Sequence, residues 1–337
     1  MYDVSVFIGR FQPFHKGHLH NILEALQHSK FLVVNVGSSH SSSNIKNPFS
    51  YEFRKKLITL DLLSAGIDLS RVAVEPLSDY FYQEELWQES LRCNVLKHVA
   101  YDQSIAIVGH EKDESSYYLK SFPEWGFIPV TNYKNYNATD FREAYYCGNI
   151  LDEYMCSNNR LNGSYQSLKD YMSKPNYYRL KQEYEIVNKH KELCYKDQVS
   201  HDVALFIIHK GKILLSKRLF HPGLGLWSLP MGNIIGAESV EDSLYRNFNS
   251  NNVIIENNES FAYTKLPTVI FDYESRSLLG RVISHVGVFV IASDLHVVNN
   301  SSNWLDSRLI TETMCDRMYS DNYQIISILL DNYNISI

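Results

Sequence analysis

The chain has 337 residues, long enough for two domains with separate hydrophobic cores. Its 45% hydrophobic and 21% charged residues are ordinary for a soluble globular protein. The net charge of −6 argues against a general nucleic-acid or membrane-surface binder, so a phosphate site must be a local concentration of Arg, Lys and His.

Val4 to Ile8 reads as a short apolar strand. Gly9-Arg10-Phe11-Gln12-Pro13-Phe14-His15-Lys16-Gly17-His18 follows, and then a helical pattern through Leu26. Two histidines three apart at a strand-to-helix turn set two imidazoles beside a helix N-terminus, with its free N–H groups and positive dipole. That arrangement suits polyphosphate rather than hydride or acyl chemistry. Pro13 and Gly17 shape the turn and let backbone approach a ligand. Phe31–Val36, Val72–Pro76 and Ile105–Val108 read as further strands, with helical stretches between the first three. The pattern predicts an α/β fold with a parallel sheet and ligands at the carboxyl ends of its strands. Those ends carry Gly9, Gly37-Ser38-Ser39, Ser78-Asp79 and Gly109-His110.

Thr139 to Lys174 reads as helices and polar turns that close this domain. Pro175 to Leu193, strongly charged and helical in pattern, reads as a solvated connecting helix without chemistry. From Asp202 the texture changes. Val203–Ile208 and Lys212–Ser216 flank His209-Lys210-Gly211, a β-hairpin signal. A Gly- and Pro-rich run from Pro222 to Gly232 follows, then a helical segment from Ser239 to Asn249 and strands at Thr268–Tyr273 and Arg281–Ile291. This is an α+β domain on a mixed sheet. The expected division is 1–174, a helical linker at 175–200, and 201–337. Cys93, Cys147, Cys156, Cys194 and Cys315 are scattered and odd in number, as expected of reduced structural thiols. No run approaches the ~18 apolar residues of a membrane span, and Met1-Tyr2-Asp3-Val4 lacks a leader pattern. A cytoplasmic location is therefore expected, with no nucleic-acid or membrane partner.

The turn from Gly9 to His18 resembles the HxGH signature of the nucleotidylyltransferases, and its flanks resemble the archaeal-type nicotinamide mononucleotide (NMN) adenylyltransferases. Asn137-Ala138-Thr139-Asp140-Phe141-Arg142 is similar to the second superfamily signature, Ile-Ser-x-Thr-x-x-Arg, with Asn137 where Ser is usual. Asn47-Pro48-Phe49-Ser50 with Arg54 resembles the segment after the second strand. Val108 to Asp113, with Tyr117-Tyr118-Leu119 and Phe122-Pro123-Glu124-Trp125, resembles a segment special to this branch. The resemblance implies a Rossmann-like sheet and the reaction of ATP with NMN to give NAD and pyrophosphate. It implies catalytic roles for His15, His18 and Arg142, and ATP contacts at Gly9, Arg10, Phe11, Lys16, Gly109, Asp113 and Thr139. Asp79, Tyr80 and Trp87 match the nicotinamide-binding region, where an indole face can hold a cationic ring. Mg²⁺ is the implied cofactor, held mainly through phosphates and water. Nicotinic acid mononucleotide stays open as a second acceptor.

The C-terminal part resembles a Nudix domain of the ADP-ribose pyrophosphatase type. The matching residues are Trp227-Ser228-Leu229-Pro230-Met231-Gly232, Glu238, Arg246, Phe271-Asp272, Arg276-Ser277, Gly280-Arg281 and His285. Asp321-Asn322-Tyr323 also fits the fused NMN adenylyltransferase/Nudix family. Aligning Gly232, Glu238 and Arg246 with the Nudix box puts its three helix glutamates at Asn247, Ser250 and Asn251. Their spacing places all three on one helix face, where active members hold Mg²⁺ to activate water. Neutral Asn and Ser supply little charge, and Val253 replaces the usual Gly. The resemblance thus implies a hydrolytically impaired domain, with ligand contacts at Arg218, Asp272, Arg276 and Arg281 and Glu238 as a residual metal contact. Two alternatives stay open: hydrolysis of ADP-ribose to AMP and ribose 5-phosphate, and a nucleotide-sensing regulator.

Overall fold

A computed structural model describes residues 1–109, 121–131, 133–156, 163–193, 198–250, 253–254, 263–292, 296–297 and 302–333, with the backbone alone at 250, 253–254 and 296–297. It divides into two compact units, Met1–Gln182 and Glu183–Ile337.

The first unit runs β1 (Tyr2–Gly9), α1 (Lys16–His28), β2 (Ser29–Val36), α2 (Tyr51–Ser64), β3 (Val72–Pro76), α3 (Glu84–Leu96), β4 (Ile105–Gly109), β5 (Gly126–Pro129), α4 (Ala138–Tyr146) and α5 (Ser164–Tyr171). The five strands form one sheet in the order β3-β2-β1-β4-β5, parallel throughout. Both faces are covered, so the central strands read as nearly unbroken apolar runs. Alternate residues serve opposite cores. Phe7, Val34 and Val108 join Phe11, Phe14 and Ile22 on one face. Val6 and Ile107 join Leu77, Leu91 and Val95 on the other. The chain leaves β1 toward β2 and β3, then crosses back to β4 on the other side of β1. That reversal makes the carboxyl ends of β1 and β4, at Gly9 and Gly109, the switch point where α/β sheets take ligands.

α6 (Pro175–Leu193) contains the boundary between the units, which falls inside the helix rather than at its two ends. The solvated linker expected from its charge is corrected here. Tyr177, Leu180, Glu183 and Val187 are buried, spaced along one face of the helix.

The second unit runs β6 (Val199–His209), β7 (Lys212–Lys217), β8 (Trp227–Ser228), β9 (Met231–Asn233), α7 (Val240–Ser250), β10 (Val253–Ile254), β11 (Tyr263–Phe271), β12 (Arg281–Ile291), β13 (His296–Val297), β14 (Ser302–Asp306) and α8 (Asn322–Asn332). The main sheet is mixed, in the order β11-β12-β6-β7-β14. The β12–β6 pair is parallel, the other pairs are antiparallel, and β8 and β9 are appended to β7 and β6. The expected hairpin turns at Lys210 and Gly211, both with positive φ, as a tight two-residue turn requires. Val203, Leu205 and Ile207 alternate onto a core shared with Leu244 and Phe248 of α7 and Phe289 of β12. β11 starts before the expected Thr268. Its register shifts between Leu266 and Val269, around Pro267, which has no N–H for the ladder. Among the described residues, no helix is long and apolar enough to cross a membrane.

Candidate active site and nucleotide-binding cavity

At the end of β1 the chain turns through Phe11, whose φ is 50° and whose ring lies over Gly9. A Cβ at Gly9 would sit 2.9 Å from that ring, so only glycine lets the turn close here. His15 is the N-cap of α1. Its Nδ1 accepts the Gly17 N–H (3.1 Å), while its own N–H donates to His18 Nδ1 (3.3 Å). The two rings stack with centroids 3.7 Å apart. An imidazole nitrogen that accepts cannot carry hydrogen. In this geometry the hydrogen of each neutral ring therefore sits on Nε2. Lys16, half-buried, opens α1 beside them.

Arg142, buried on α4, donates to the Gln12 carbonyl (3.0 Å) and to Thr139 Oγ1 (3.2 Å). Burial, with the charge of Arg10, lowers its pKa to about 10, so it stays cationic at neutral pH. Gln12 is in turn clamped to the backbone of Phe49 by two 3.0 Å bonds. Asn137 caps α4 by accepting the Asp140 N–H (2.9 Å). Asn and Ser rank together as N-caps, so the departure from the signature keeps the helix start.

The sequence placed Arg54 in a matching segment without a role. In the structure it is fully buried and donates to the carbonyls of Arg10 and Gly37 (2.6 Å each) and Ser38 (2.9 Å). It thereby ties together the carboxyl ends of β1 and β2. Burial lowers its pKa to about 10, against the attraction of Asp79. The signal was present: Arg54 shares a helix face with the buried Leu57, Ile58 and Asp61, an unusual place for a charge. Asp79 is raised by burial, opposed by hydrogen bonding with Ser38 and by the charges of Arg10 and Arg54. Exposed Arg10 thus acts on Asp79, Arg54 and Arg142 together. His40, also without a sequence-level role, lies 2.9 Å from Ser78 Oγ through Nδ1.

Tyr80 and Trp87 are half-buried. Trp87 packs part of its surface on the Val6–Leu91 core, its ring 6.4 Å from that of Phe122. The Gly109 carbonyl accepts the Val130 N–H (2.9 Å). Asp113, and the matching run from His110 to Leu119, lie outside the described residues.

In the second unit a cavity of about 570 Å³ is lined by residues of α6, β6, β9 and the loops after β7 and β11, among them Arg218 and Arg276 but not Asp272 or Arg281. Arg218 lies 3.7 Å over the Tyr319 ring and 4.7 Å from the Phe220 ring, and its Nε donates to the Pro222 carbonyl (2.8 Å). The buried Glu183 carboxylate on α6 receives the Gly223 N–H (2.8 Å) and fixes the same loop.

The structure gives the surroundings of four residues expected here as ligand or metal contacts. Arg276 lines the cavity, is buried and is forked onto Asp321, at 2.8 and 3.0 Å. Arg281 lies 3.5 Å from Asp272, and neither residue lines the cavity. Glu238 is not placed as a metal contact. Both its oxygens accept from Arg246, at 3.0 and 2.5 Å, and the Ile235 N–H adds a third bond at 2.7 Å. Those bonds, Arg246 first, hold its pKa at about 2. Asn247 is buried, donates to the Ser243 carbonyl (2.8 Å) and presses its Oδ1 on Gly232. The Ser250 side chain and Asn251 lie outside the described residues. Among the described residues no three His, Cys, Asp or Glu side chains converge on a metal position.

A parallel sheet with its HxGH turn at the switch point defines a nucleotidyltransferase, and a cytidylyltransferase-like family model matches residues 6–144. The chain is similar to a nicotinamide/nicotinic acid mononucleotide adenylyltransferase of Acinetobacter baylyi, 38% identical over 54% of this chain and 94% of the relative. It is also similar to a nicotinamide-nucleotide adenylyltransferase of Saccharolobus solfataricus, 32% identical over 41% of this chain and 76% of the relative. A crystal structure of a bifunctional NMN adenylyltransferase/ADP ribose pyrophosphatase from Francisella tularensis superposes with a TM-score of 0.89. It shares 45% identity and covers 98% of this chain and 99% of the other. The chain belongs to the family of bifunctional NMN adenylyltransferase/Nudix hydrolase proteins.

Proposed function

We propose that the first unit transfers the adenylyl group of ATP to NMN, forming NAD and pyrophosphate. The observation that carries this reading is the pair of neutral imidazoles, each with its Nδ1 taken by a backbone N–H at the start of α1. An oxygen of the NMN 5′-phosphate bonds to the α-phosphorus of ATP. The bond from that phosphorus to the bridging oxygen breaks, and its electron pair leaves with pyrophosphate. No protein nucleophile is needed, so catalysis is alignment plus stabilisation of charge on phosphoryl oxygens. His15 and His18 donate from Nε2 to the ATP phosphates. The α1 N-terminus, Lys16, Arg10 and Arg142 offset charge, and Arg54 holds the end of β1 that carries Arg10. Asp79, Tyr80 and Trp87 form the nicotinamide side. Magnesium held by the ATP phosphates would supply charge neutralisation there. Nicotinic acid mononucleotide is a second candidate acceptor, since the name of the Acinetobacter relative covers both.

For the second unit we propose nucleotide binding without hydrolysis, because Glu238 is committed to Arg246 and Asn247 to Ser243. Hydrolysis of ADP-ribose is the second reading. It is favoured by the activity named for the Francisella protein, which matches this chain over its full length. Chromatography of two incubations with Mg²⁺ tests both readings. ATP plus NMN should yield NAD, and its absence would overturn the first. ADP-ribose alone should persist, and release of AMP and ribose 5-phosphate would install the second reading.

A further inference from the structure

The two phosphate-binding signatures of the first unit, the turn from Gly9 to His18 and the start of α4, meet at Gln12. Its carbonyl accepts from Arg142 Nη1 (3.0 Å), across 130 residues of chain. Its side chain bonds to a third segment, the loop before α2. There Nε2 donates to the Phe49 carbonyl and Oε1 accepts the Phe49 N–H, both at 3.0 Å. The amide thus pairs with the backbone of one residue as a neighbouring strand would. Gln12 is 1% exposed, so water does not compete for these bonds.

The loop is itself fastened to α4. The Phe49 ring packs edge-on to Tyr145, with centroids 5.7 Å apart, and the Tyr146 hydroxyl donates to the Ile45 carbonyl (3.1 Å). Contacts therefore run in a closed circuit: from Arg142 to Gln12, from Gln12 to Phe49, and from Phe49 back to the helix that carries Arg142. The rings of Phe11 and Phe14 also seat the turn in the core on one face of the sheet. Apolar packing is non-directional. Two hydrogen bonds from one planar amide are directional, and they fix the orientation of the peptide that Arg142 grips.

We propose that Gln12 is a positioning residue for adenylyl transfer: its amide clasp on Phe49 holds the Gln12 carbonyl where it aims the Arg142 fork, in register with the His15 and His18 rings. Gln12 touches no substrate in this role and acts through Arg142. The clasp needs a donor and an acceptor side by side at this length, which the glutamine amide supplies. Ionised glutamate keeps the acceptor for the Phe49 N–H but sets its second oxygen against the Phe49 carbonyl. Methionine keeps the length and loses both bonds. The proposal rests on the reading that the first unit transfers an adenylyl group with Arg142 on the ATP phosphates.

The test is a double-mutant cycle on the full chain, read as kcat and KM for NAD formation from ATP and NMN with Mg²⁺. Gln12→Met should lower kcat about ten- to a hundredfold, the scale of a misplaced catalytic group, with KM for NMN within about twofold of wild type. Gln12→Glu should lower kcat as well, and it carries the test if Gln12→Met does not fold. Arg142→Lys keeps the charge but loses the fork. In that background neither change at Gln12 should lower kcat more than about threefold further, because the group that Gln12 aims is gone. Equal losses with and without the Arg142 fork, or wild-type kcat in a folded Gln12 variant, would overturn the proposal, since a merely structural role acts on both backgrounds alike. Wild-type kcat in Arg142→Lys, or no NAD from the wild-type protein, would instead overturn the underlying reading of the site.

Discussion

Replacing Asp61 by Asn should stabilise the protein at neutral pH and do nothing at acid pH. Asp61 is fully buried on α2, where it accepts from Ser164 Oγ (2.6 Å) and its Oδ2 has no hydrogen-bond partner. Burial raises its pKa from 3.8 to about 6, against the Ser164 hydrogen bond and the nearby Cys156 thiol. A carboxyl whose folded pKa is raised binds its proton more tightly when folded. Its neutral form is therefore compatible with the fold below pH ~4, and stability is lost as pH rises from there through about 6. The gap is roughly two pKa units, or about 3 kcal/mol carried by the folded state at pH 7.5. Asn removes that penalty but leaves an amide where Oδ2 stood, at a cost of ~1 kcal/mol, so the net gain is about 2 kcal/mol. Thermal melts of both proteins should show a gain of ~4–8 °C in the first-unit transition at pH 7.5 and none at pH 4.5. An equal difference at the two pH values would refute the argument, because it would mean that Asp61 does not change ionisation with folding.

His18→Ala should lower kcat for NAD formation by about a hundredfold while KM for ATP moves little, since the lost donor acts on charge that builds in the transition state; unchanged kcat in the folded variant would remove His18 from the chemistry. Trp87→Ala should weaken NMN binding by ~0.5–2 kcal/mol and spare ATP. An equal fall in both affinities would leave Trp87 only its packing on the Phe122 side of the core. Gly232→Ala puts a Cβ 1.9 Å from Asn247 Oδ1, and overpacking of this kind should destabilise the second unit by ~1–3 kcal/mol. Adding Asn247→Ala should recover most of that loss, and a melting curve without recovery would assign the damage elsewhere.

The parallel sheet was legible because β1, β2 and β4 are short apolar runs with consecutive buried residues, and β3, a half-buried edge strand, is rich in β-branched residues. β5 escaped because it is an edge strand of four residues with one buried position. β14 has a single buried residue, Ser302, and so no apolar run to read. In the first site the HxGH turn gave the histidines but not their hydrogen-bond roles, which depend on how close each ring comes to the backbone of α1. The second site was less legible. Arg276 and Asp321 stand 45 residues apart, and only the fold shows that the guanidinium is already occupied. Charge on α6 concealed its buried face because Glu183, a charged residue, is one of the buried positions.

The most direct test of the central claim follows the α-phosphorus. With ATP labelled at that atom, NMN and Mg²⁺, the label should appear in NAD and the pyrophosphate should be unlabelled. His15→Ala/His18→Ala, kept folded, should form neither product at a comparable rate. Label in pyrophosphate or in free AMP, or NAD formation that survives loss of both histidines, would contradict adenylyl transfer at the α1 turn.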